Sequence, residues 1–82
     1  MPHLLFFGQL RERAGDLHEQ TISADVHSIT DVLAWIAQRD AELARALNAK
    51  GVRIAVDQVF ASAEASVSPA SEIAFMSPLS GG

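Results

Sequence analysis

The residues best placed to do chemistry stand at the end of the chain. After Glu72 the sequence runs Ile73-Ala74-Phe75-Met76-Ser77-Pro78-Leu79-Ser80-Gly81-Gly82 without another charged side chain, so the ionised group it presents last is the carboxylate of Gly82. Two glycines lack Cβ atoms, which lets the backbone thread a narrow passage and take angles other residues avoid. Pro78 ends strand pairing and biases Ser77 toward extended backbone. Residues Ser77, Pro78, Leu79, Ser80, Gly81 and Gly82 are therefore expected to project as a tail, reaching about 20 Å when extended and so able to enter a neighbouring protein's active site. A carboxylate is inert toward a nucleophile such as sulfide until one oxygen becomes a good leaving group, as in an acyl-adenylate made with ATP. The chain has no Gly-rich phosphate loop and no Cys, so activation falls to a partner and the chain alone is expected to be non-catalytic. With glycine near 7% of residues, a terminal Gly-Gly arises by chance in about one chain in 200, so the pair gains weight only beside the fold that carries it.

Other chemistry-bearing side chains point nowhere in particular. His3, His18 and His27 are far apart and share no ligand spacing, so no metal and no bound cofactor is expected. The acids Glu12, Asp16, Glu19, Asp25, Glu42 and Glu64 form no pair suited to proton transfer and are expected to be solvated. Arg11, Arg13, Arg39, Arg45, Lys50 and Arg53 are scattered with no basic stripe, and with a net charge of −4 this argues against a duplex nucleic-acid partner. No apolar stretch approaches the roughly 20 residues that span a bilayer, and Met1-Pro2-His3 lacks the basic region of a signal peptide, so a cytoplasmic protein is expected.

The elements that would position the tail follow from pattern. A chain of 82 residues holds one core, read as a domain over residues 1–76 with a tail over 77–82. The dense apolar run in residues 3–10 reads as a strand, Gly15-Asp16 as a turn, and residues 17–23 as an edge strand completing a hairpin. Ser28 with Asp31 marks a helix start. Ile29, Val32, Leu33, Ile36, Leu43 and Leu47 then form one helical stripe, interrupted at Asp40 so that two shorter helices can meet there. Residues 48–51 stop the helix, residues 52–56 and 59–60 form a second hairpin around Asp57-Gln58, residues 61–71 read as loop, and residues 72–76 return to strand beside the first. This order implies an α+β fold of β-grasp type: a mixed four- to five-stranded sheet with a covering helix and an extended C-terminal tail.

Strand 3–10 is apolar on both faces, with Leu5 and Phe7 on one and Leu4 and Phe6 on the other, and one covering helix serves only one of them. An exposed apolar face beside the tail's strand is expected to be a partner interface, with Phe7 and Met76 in it and Ala74 extending it. Arg11 and Arg13 follow the strand on the tail side, and Arg11 is taken as a partner contact. Trp35, on the flank of the helical stripe, is expected to be a partly buried rim aromatic.

Together, Leu5-Phe6-Phe7-Gly8-Gln9-Leu10-Arg11-Glu12-Arg13-Ala14-Gly15 and the end 72–82 resemble the two signature ends of the small subunit of molybdopterin synthase, a ubiquitin-like β-grasp sulfur carrier. The resemblance covers the whole chain in length and order. It implies that Gly82 is adenylated by a ubiquitin-activating-like adenylyltransferase using ATP and converted to a thiocarboxylate. The tail would then enter the large subunit of the synthase, which passes the sulfur to cyclic pyranopterin monophosphate in molybdenum cofactor biosynthesis. The chain departs from the family pattern in having Ser77 where members commonly have a second proline, Ala70-Ser71 where they have Gly-Asp, and Asp57 where Asn is frequent. The alternatives sharing fold and Gly-Gly end are carriers for thiamine, cysteine or tRNA thiolation and ubiquitin-like modifiers. A plain interaction domain is the remaining one.

Overall fold

In the computed structural model, residues 2–22, 25–68 and 71–77 are described. Strand β1 (His3–Phe7) alternates faces, and Leu4 and Phe6 are fully buried. It is followed by helix α1 (Gln9–Ala14) and a single 3₁₀ turn (Gly15–Leu17), then α2 (Ile29–Arg39), α3 (Ala41–Leu47), β2 (Arg53–Val56), β3 (Val59–Ala61) and β4 (Glu72–Met76). The four strands form one sheet in the order β1-β4-β2-β3. β1 and β4 run parallel with Phe6 opposite Phe75, whereas β2 is antiparallel to both β4 and β3.

Burial of one sheet face decides the architecture. Leu4, Phe6, Ile73 and Phe75 share that face and join Ile29, Val32, Ile36, Leu43 and Leu47 of the two helices in one core. The Phe6 and Phe75 rings stack with centroids 5.4 Å apart. The cover is thus two helices, meeting at Asp40 as the interrupted stripe implies. Asp40 is in extended conformation, and its Oδ1 accepts the Leu43 N–H at 3.0 Å, so one residue ends α2 and caps α3. At the start of α2, Ser28 Oγ accepts from Asp31 N and the Asp31 carboxylate accepts from His27 N. Two further orphan N–H groups, of Ile29 and Thr30, donate to the carbonyls of Ala65 and Ala63. The loop after β3 therefore packs along the α2 N-terminus and places Val67 in the core. Trp35 is half-buried against the core, with the Arg39 guanidinium 3.7 Å above its ring.

Two expectations are corrected. The strand in residues 3–10 ends at Phe7, and its continuation is α1. Gly8 turns the chain at φ 67°, and Leu10 and Ala14, four apart on one helical face, are both buried in a run of good helix formers. The edge strand expected over residues 17–23 is not a ladder; Ser23 lies outside the described residues. The segment runs beside β1 through a lone bridge between His3 and Thr21. Glu19 at φ 67° breaks the extended pairing, so after the Leu4–Gln20 and Glu19–Leu4 backbone bonds the next rung is made by a side chain. His18 Nδ1 accepts the Phe6 N–H at 3.0 Å.

Candidate functional site at the root of the tail

β4 delivers the chain to its end, and the last described residue, Ser77, is fixed by an element the sequence reading missed. α1 begins after Gly8, which has no side chain with which to cap it. Ser77 Oγ accepts the N–H of Gln9 at 3.2 Å, so the cap comes from the far end of the chain. A Cβ on Gly8 would meet this same Ser77 Oγ. Ser77 was expected to be the first projecting residue; it is half-buried and tied to the domain. Pro78, Leu79, Ser80, Gly81 and Gly82 lie outside the described residues.

Two surfaces border this root. The sheet face turned away from the helices carries a row Leu5–Ala74–Ala55–Phe60 and a row Phe7–Met76–Arg53, each set by strand register. Phe7 is 47% exposed and Phe60 62% exposed, and Arg53 stacks on the Phe60 ring at 4.4 Å. Phe7 and Met76 are directly opposite each other. Phe60 was not expected there; alternation from Ala55 across a two-residue turn would have indicated it. Arg11 is exposed on α1, outside the rows that form this face.

The second surface is a cleft of about 530 Å³ between α1 and α3, lined by Leu10, Arg13, Glu42, Arg45, Lys50 and Ser77 among others. The basic residues that look scattered in sequence are here partly gathered. Three of the six Lys and Arg side chains line this one cleft, because α1 packs against α3. His3, His18 and His27 are not brought together, and no group of three His, Cys, Asp or Glu among the described residues could hold a metal ion. Also among the described residues, no helix is long and apolar enough to cross a membrane.

A mixed sheet with a parallel β1–β4 pair, helices on one face and a small domain leading into a Gly-Gly end define the ubiquitin-like β-grasp class. Residues 4–82 match the ThiS family, and the chain belongs to this family of ubiquitin-like β-grasp sulfur carriers. Among solved structures it is similar to SAMP1 from Haloferax volcanii, at 19% identity and a TM-score of 0.76, covering 99% of this chain and 98% of that one. None of the curated proteins matches in sequence.

Proposed function

We propose that this chain is the sulfur-carrying small subunit of molybdopterin synthase, with Gly82 as the residue that bears the sulfur. Membership of a sulfur-carrier family along a match that extends through Gly82 is the observation that carries the reading. The Gly82 carboxylate attacks the α-phosphorus of ATP on the adenylyltransferase and expels pyrophosphate. A sulfide equivalent then displaces AMP from the acyl carbon to leave a thiocarboxylate. On the large synthase subunit the sulfur passes to cyclic pyranopterin monophosphate, and water restores the carboxylate. The chain's own part is to present the tail from a fixed root and to bind both partners. Phe7 and Met76 on the open face, with Arg11 nearby in sequence, are proposed as that binding surface.

Deleting Gly82, or adding one residue after it, is expected to abolish thiocarboxylate formation without altering the melt. Deletion withdraws the carboxylate by about 3.5 Å from a geometry in which 1 Å can cost about 100-fold, and extension buries the acyl carbon in an unreactive amide. Intact mass after incubation with ATP, a sulfur donor and the activating enzyme reads the exchange of oxygen for sulfur. A variant that is charged like wild type removes Gly82 from the role. The ThiS family match also favours a second reading, in which the same thiocarboxylate serves thiamine, cysteine or tRNA thiolation or the chain acts as a modifier. Supplying the charged protein to the large synthase subunit with its pterin substrate separates the two, since only the first yields molybdopterin. The Phe6-Phe7 start and the Pro78-Leu79-Ser80 tail support the first.

A further inference from the structure

The cleft beside Ser77 holds Arg13, Arg45 and Lys50 against a single acid, Glu42, in a chain whose net charge is −4. All four side chains are exposed, and none makes an ion pair or side-chain hydrogen bond among the described residues. Three cations gathered around one acid leave a net positive charge, and an incoming anionic group is attracted to it. The arrangement is thus electrostatically unspent, and it lies beside Ser77, the last described residue before the tail.

We propose that this cleft docks an acidic, Asp- or Glu-bearing segment of the enzyme that activates the tail, a proposal that rests on the carrier reading above. Position supports that occupant. Ser77 both lines the cleft and roots the tail, and the five residues after it can span at most about 18 Å, so an enzyme holding the last of them comes within reach of this cleft. The lining argues against a nucleotide: it contains no aromatic ring to stack on a base and no glycine. Flexible Arg and Lys side chains on an otherwise acidic protein steer an acidic surface and fix its orientation, and the effect fades with salt because screening acts over about 8 Å at physiological ionic strength.

The test is the rate of thiocarboxylate formation by the activating enzyme at low and high salt, with wild type, Arg13→Glu/Arg45→Glu/Lys50→Glu, Lys50→Glu and Glu42→Gln. The triple variant is expected to raise KM about tenfold at low salt, the sum expected of several exposed pairs, and to flatten the salt dependence. Glu42→Gln is expected to move KM the opposite way. That opposition keeps the test decisive even if the triple variant folds poorly, because Lys50→Glu and Glu42→Gln each alter one exposed side chain. Unchanged KM and salt slope in Lys50→Glu and Glu42→Gln, with wild type still charged, overturns the cleft proposal and leaves the carrier reading standing. Displacement of the Arg13 and Arg45 side-chain NMR signals by ATP or inorganic phosphate alone also overturns it, in favour of a small-anion site. Failure of wild type to be charged at all overturns both.

Discussion

Ser77 and Gly8 form a contact in which each residue type answers the other. The serine hydroxyl takes the N–H that Gly8 cannot cap, and Gly8 can sit at φ 67° against that hydroxyl because it has no Cβ. Ser77→Ala is expected to lower stability by about 1 kcal/mol, the usual worth of a lost cap. Gly8→Ala adds a backbone conformation, φ 67° with ψ −143°, that is essentially open to glycine alone and costs other residues about 1–3 kcal/mol, to a clash with Ser77 Oγ. Because that clash disappears when the hydroxyl is gone, the double variant should be less destabilised than the sum of the singles, as read by urea unfolding. Strict additivity would remove the coupling. A second residue-scale case is the turn between β2 and β3, where Asp57 and Gln58 both have positive φ, 51° and 71°. Such two-residue turns favour Gly at the second position, so Gln58→Gly should stabilise by about 0.5–1 kcal/mol. A lower melting temperature would show that the Gln58 side chain contributes something its backbone strain conceals.

At the scale of elements, the helical stripe breaks at Asp40 into two helices. The Asp40 backbone is extended at the bend, and its carboxylate caps α3. Asp40→Ala should cost about 1 kcal/mol with no gain in helical circular dichroism, because the change of direction is held by packing of both helices on the sheet. A rise in helicity with unchanged stability would mean that Asp40 alone prevents fusion. The Ser28–Asp31 cap is shared with the carbonyls of Ala63 and Ala65, so the loop after β3 and the start of α2 stabilise one another.

Considered whole, the molecule treats adjacent phenylalanines in opposite ways. Phe6 is fully buried against Phe75, and losing such a ring typically costs about 3–5 kcal/mol, much of the roughly 4–12 kcal/mol that holds a domain of this size. Phe7, facing away from the helices, is 47% exposed and opposite Met76. Phe7→Asp should therefore melt close to wild type while, on the proposed function, weakening binding to the large synthase subunit by more than about 2 kcal/mol, as loss of an aromatic anchor does. Calorimetry showing wild-type affinity would remove Phe7 from the proposed surface.

The sequence alone determined the order of the main strands and helices, the break at Asp40, the cap at Ser28, the turn at Asp57-Gln58 and the two-faced character of β1. Each of these depends on neighbours within a few residues, on alternation or on helical spacing, and such signals survive in one dimension. It misassigned the stretch after Phe7, where Gly15-Asp16 read as a hairpin turn although Leu10 and Ala14 have a helical spacing that only a core to bury them makes decisive. It also could not place Ser77 against Gly8, nor bring Arg13 to Arg45 and Lys50. Those contacts join residues remote in sequence, and they exist because the parallel β1–β4 pair brings the end of the chain to the start of α1, while packing of α1 on α3 closes the charged cleft beside it.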